Sequence, residues 1–210
     1  MVVGNIKHED AAEQWSPALF LVGGALVTTH ATIQAINAFT AMTTPPDVFV
    51  TTGHLVALVG LLGLYPVLVD RTPRLARVAG AVATVAIAGW SIMTVTQFLT
   101  VAGVVSSMTD VLPGALVVVV LASITLTYVL FGVGTLRLGG ESRTVGLLVL
   151  APAALFVVLL VAYAGMGVSA GLGVSIGGGF ALSMLALGAR LRSWDRPTEH
   201  TVPTNDATAG

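Results

Sequence analysis

Six apolar stretches, each about the length of a bilayer crossing, constrain this chain more than any other feature. A hydrocarbon core about 30 Å thick is spanned by roughly 20 helical residues. Ser16–Met42, Thr51–Val69, Leu75–Val105, Val111–Leu136, Val145–Met166 and Gly171–Ala189 all qualify. Arg77, at the edge of the third, is the only Asp, Glu, Lys or Arg within them. Lipid offers no hydrogen bonds, so each stretch must satisfy its own backbone, and runs of this length do so as helices. The expected fold class is all-α: a polytopic integral membrane protein, a six-helix transmembrane bundle occupying residues 16–191. A cytoplasmic N-terminal segment is expected at 1–15 and a solvated cytoplasmic tail at 192–210, rich in Thr, Pro, Asp and Glu.

Charge fixes the expected orientation. Cations resist translocation, so cytoplasmic loops hold the Lys/Arg excess. With six spans, Lys7, Arg71, Arg74, Arg77, Arg137, Arg143, Arg190, Arg192 and Arg196 all fall on one side, and the opposite side carries only Asp47 and Asp110. An extra or missing crossing would scramble this sorting. Both termini are therefore expected in the cytoplasm and the chain in the cell membrane. Trp15 and Trp194 then sit at the cytoplasmic interface, where aromatic anchors belong.

Composition excludes much chemistry. Only 9% of residues are charged, against about 25% in ordinary soluble domains. The net charge of −1 leaves no footprint for nucleic acid. With no cysteine in 210 residues, disulfides, thiolate metal sites and c-type haem attachment are excluded. The only lysine is Lys7, so no retinal Schiff base can form within the membrane. Proton-coupled pumps usually carry ionisable groups at depth, and His30 is the one candidate there.

Two polar stripes are the most informative feature. On the first span His30, Gln34 and Asn37 recur at helical spacing, and on the third Trp90, Thr94 and Gln97 do the same. Both spans run outward, which places the stripes level with each other in the outer half. An amide or imidazole exposed to lipid costs several kcal/mol, so both stripes should face protein or a wet cavity. The functional expectation is a polar pocket there for a small amphipathic ligand such as a quinone or lipid. The alternative is that the two stripes bond to each other and hold the spans together.

His54, near the outer start of the second span, adds a further candidate. His30 and His54 could together ligate a haem, but by residue count His30 lies ~18 Å and His54 ~5 Å below the outer boundary. The expected activity is non-enzymatic: a ligand-binding or accessory subunit of a membrane assembly. A small transporter or channel is the alternative and a haem-binding redox protein the third reading. Transport would need polar groups continuing inward, and Thr84, Ser123, Thr127 and Ser183 are the candidates. Gly167–Gly171 and Gly173–Gly177 on the last span fit small-residue packing, against the fifth span or in a homo-oligomer. If any span is interrupted, the adjacent Gly177, Gly178 and Gly179 make it that one. Pro66 is expected to kink the end of the second span, and Pro113 and Pro152 to sit near helix starts.

Overall fold

The computed structural model describes residues 9–40, 47–140, 142–165 and 169–194. Among them there are eight helices and no strand. In chain order they are α1 (Glu9–Thr40), α2 (Val48–Leu62), α3 (Tyr65–Arg71), α4 (Pro73–Val101), α5 (Met108–Val111), α6 (Gly114–Leu138), α7 (Ser142–Gly165) and α8 (Ala170–Trp194). Six spans are long and apolar enough to cross a membrane, with α2 and α3 together forming the second. The chain is a multi-pass helical membrane bundle. Its solvent makes it so: Val117–Val120 in α6 is a run that would favour a strand in water, yet it is helical here. Residues 1–8 and 195–210 of the expected terminal segments lie outside the described residues.

The breaks between helices follow local chemistry. Pro66 has no N–H and its ring crowds the carbonyl of residue 62. Gly63 and Leu64 accordingly donate to Gly60 and Leu61 in tight three-residue turns, separating α2 from α3. The interruption expected in the last span falls here instead, because α8 runs unbroken through Gly177, Gly178 and Gly179. Intrahelical bonding in lipid outweighs glycine's roughly 1 kcal/mol propensity penalty. Thr72 alone separates α3 from α4, with Pro73 at the first helical position, where a missing donor is harmless. Pro152, by contrast, lies well inside α7 rather than near its start. Gly139 and Gly140, at φ +76° and +56°, turn the chain between α6 and α7.

Packing order makes the bundle a closed ring. Each span touches the next in sequence, and α8 returns to pack along α1. Aromatic side chains from five helices fill the centre: His54, Trp90, Tyr128, Phe156 and Phe180. All seven described arginines sit at helix ends on one end of the ring, on α3, α4, α6, α7 and α8.

α1 and α2 approach backbone to backbone. A Cβ on Gly23 would stand 2.7 Å from the Gly53 carbonyl oxygen, and one on Gly53 would stand 2.8 Å from that of Gly23. One helical repeat inward, Ser16 donates its hydroxyl to the Gly60 carbonyl at 2.8 Å. One repeat outward, His30 meets Asp47. These contacts set the register of the two helices. The glycines of α8 serve α1 more than α7: Gly177 faces Ala31 and Gly188 faces Leu21 and Pro17, while Gly179 faces Leu155 of α7. Gly167 lies outside the described residues.

Candidate functional site

The register of α1 and α2 reverses the expected depth order of the two histidines. Nε2 of His30 lies 3.5 Å from Oδ1 of Asp47, the residue immediately before α2. His54 is seven residues further along α2, about 10 Å deeper. The expectation assumed that both helices end at one level. Instead residues 31–40 of α1 project beyond the start of α2, by about 15 Å. Gln34 and Asn37 belong to that overhang and are only partly buried. Phe39, near the end of that stretch, is 91% exposed.

Side-chain direction narrows the gap between the imidazoles. Cβ atoms tilt toward a helix's N-terminus. His30 therefore leans inward from α1 and His54 leans outward from the antiparallel α2, each toward the other's level. Both are buried. Nδ1 of each is buried and has no hydrogen-bond partner among the described residues, and the same is true of Oγ1 of Thr52 and the hydroxyl of Tyr128. Asp47 is different: its side chain is 51% exposed. Partial burial pushes its carboxyl above the usual carboxylate range, and the His30 imidazole draws it part of the way back.

His54 lies at the ring axis. Phe180 is 4.6 Å away and Trp90 5.6 Å away, both edge-on, and Phe156 is 5.1 Å away and tilted. Trp90 is fixed by donating Nε1 to the Thr51 carbonyl at 2.6 Å, across from α4 to α2. Three rings packed this closely leave no room beside His54 for a porphyrin, whose macrocycle must reach the ligand nitrogen. The two histidines, at different depths and walled in, do not fit a shared haem.

The polar stripes of α1 and α4 do not meet across a common void. The ring order explains it: α2 packs on both helices and separates them. Thr94 turns back to the Trp90 carbonyl at 2.9 Å, and Gln97 donates to the Met108 sulfur at 3.5 Å. Of the seven predicted residues, His30, His54 and Trp90 gather around α2; Thr94 and Gln97 serve α4 and α5; Gln34 and Asn37 lie on the overhang.

Inward of this level the hydroxyls are used locally. Thr84, Ser123, Thr127 and Ser183 each donate to a carbonyl of their own helix three or four residues back. They form no continuous polar path among the described residues. A shallow apolar groove between α4 and α6, lined by Ala81, Val82, Val85, Ala122, Ser123 and Leu126, lies away from the histidines.

Sequence reasoning missed Asp47 as a partner for His30, and Phe156 and Phe180 as the wall around His54. Asp47 was visible as one of only two charges on its side. The two phenylalanines stood out only as rare aromatics in aliphatic spans. Compared with known protein families, with curated proteins and with solved structures, the chain matches none.

Proposed function

We propose that this membrane protein binds a small amphipathic ligand of the quinone or lipid class at the outer ends of α1 and α2, as a non-enzymatic binding or accessory subunit. In this reading the arginine-bearing end and both termini face the cytoplasm of a cell-membrane protein, and Asp47 faces outward. One observation carries the proposal: the buried imidazoles of His30 and His54 each keep an Nδ1 without a partner among the described residues, and a half-exposed carboxylate stands beside His30. An unsatisfied buried polar group costs about 1–3 kcal/mol. A ligand carbonyl or hydroxyl relieves that cost, since an imidazole nitrogen either donates or accepts according to tautomer. The ligand's apolar tail would lie in the surrounding lipid.

Trp90 supplies the test. In the full-length chain in nanodiscs, Trp15→Phe and Trp194→Phe together leave Trp90 as the only indole. Titration with a short-chain quinone is expected to quench its emission saturably, and His54→Leu to abolish the effect. A brominated phospholipid run in parallel separates the two ligand classes. No saturable quenching by either probe overturns the proposal.

A further inference from the structure

We infer that the groove between α4 and α6 holds one acyl chain of an anionic glycerophospholipid, whose phosphate is gripped at the groove's mouth by Arg74 and Arg137. The site belongs to the leaflet at the arginine-bearing end and is separate from the ligand site proposed above. Two contacts fix how α4 and α6 stand against each other. A Cβ on Gly134 would meet Leu75 at 3.3 Å, and one on Gly89 would meet Val120 at 2.6 Å. These contacts are fourteen residues apart on each helix, so one antiparallel register holds over about four turns. Arg74 and Arg137 then differ in height by ~3 Å. Cβ atoms tilt toward a helix's N-terminus, which moves Arg137 outward and Arg74 inward and closes that difference.

Both arginines also share the groove's face. At ~100° per helical residue, Arg74 lies within ~20° of Ala81 and Val85, and Arg137 within ~20° of Leu126. With packed helices ~8–10 Å apart, the two guanidinium groups flank one phosphate. Arg77, by contrast, points about a quarter turn away from the groove. Retention of cations at one membrane face explains arginines at this end, but not why two helices each set one over the same groove. Arg74 and Arg137 are exposed, and neither has an ion pair with a described residue. The only carboxylate on α3, α4 or α6 is Asp70. Arginine's fork matches phosphate oxygens in pairs, and each arginine near the surface favours anionic lipid.

The groove itself suits hydrocarbon alone. Its volume is about 360 Å³, at the small end of ligand sites. Ser123 is its one polar side chain, and that hydroxyl is donated to the Val120 carbonyl at 2.8 Å. Ala81 and Val85 lie ~10–17 Å from Arg74 along the helix axis, the depth of the chain ends in a leaflet ~15 Å thick. Val78 on α4, exposed, and Val133 on α6, half-buried, line the way between.

The test offers the full-length chain in detergent micelles equal amounts of dioleoyl phosphatidylglycerol and dioleoyl phosphatidylcholine, and counts retained lipid by native mass spectrometry. Wild type is expected to keep one phosphatidylglycerol in preference to phosphatidylcholine. Arg74→Gln and Arg137→Gln are each expected to weaken retention about fivefold, and Arg77→Gln to change it less than about twofold. Ala81→Phe fills the groove and is expected to abolish retention with both arginines in place. Trp90 emission checks that each variant keeps its fold. Equal retention of the two lipids, an equal loss from Arg77→Gln, or full retention by folded Ala81→Phe overturns the inference. So does displacement of the lipid by inorganic phosphate, because the chain then contributes nothing. A wild-type dimer that Ala81→Phe abolishes overturns it too, because a second copy then covers the groove.

Discussion

Replacing Gly53 with alanine should separate α1 from α2 and destabilise the whole outer site. The added methyl would stand 2.7 Å from Val27 Cγ2 and 2.8 Å from the Gly23 carbonyl oxygen, short of ordinary contact by about 0.6–0.7 Å. Neither obstacle can yield cheaply. Val27 is fully buried and β-branched, hence stiff, and the other atom is backbone. The helices must move apart instead, and a gap of 0.5–1 Å forfeits about a quarter to a half of a dispersion contact. Overpacking of this kind costs about 1–3 kcal/mol. Alanine's better helix propensity is worth about 1 kcal/mol in water, but a detergent-unfolded state that keeps its helices cancels most of it. Gly178→Ala is the control, since its methyl meets nothing within 4 Å. SDS titration of mixed micelles, followed by tryptophan emission, should show Gly53→Ala less stable than wild type by about 1–3 kcal/mol and Gly178→Ala unchanged or slightly more stable. Equal stability of the two variants would refute the close-approach argument.

Further outcomes follow from the same contacts. Trp90→Phe loses the bond to the Thr51 carbonyl, worth about 0.5–1.5 kcal/mol, and leaves part of the indole's volume empty beside His54, so it should cost at least about 1 kcal/mol in the same SDS titration. Ser16→Ala removes only the hydroxyl donated to Gly60 and should cost about 1 kcal/mol. His54→Leu puts an apolar side chain among Phe156, Phe180 and Trp90, so stability should hold or rise while quinone quenching disappears. The chain has no native cysteine, so single cysteines report topology: Ser106→Cys should react with an impermeant thiol reagent in intact cells, and Arg143→Cys only after permeabilisation.

The crossings were legible because charge and hydrophobicity mark them directly. Arg71 and Arg74 bracket one turn and Arg137 and Arg143 another, and Pro66 breaks the second span through covalent geometry alone. The site was less legible. Every span is apolar all round, so nothing in the pattern of α1 or α4 says that α2 stands between them. The polar stripes were real as periodicities, but Thr94 finds its partner on its own helix and Gln97 finds one just beyond it. The depth of His30 depends on how far α1 overhangs α2. That register is set by Gly23 against Gly53, a contact between two backbones that no side-chain pattern announces. His54 was identifiable as a residue, yet its enclosure depends on Phe156 and Phe180 arriving from helices a hundred residues or more away in sequence.

The most direct test of the functional account is photo-crosslinking of the full-length protein in nanodiscs with a photoreactive short-chain quinone, followed by mass spectrometry of the labelled peptides. The account predicts label concentrated in the segments that carry His30 and Asp47 through His54, competed by unlabelled quinone. Label confined to the groove between Ala81 and Leu126, or spread over all lipid-facing helices without competition, would contradict it.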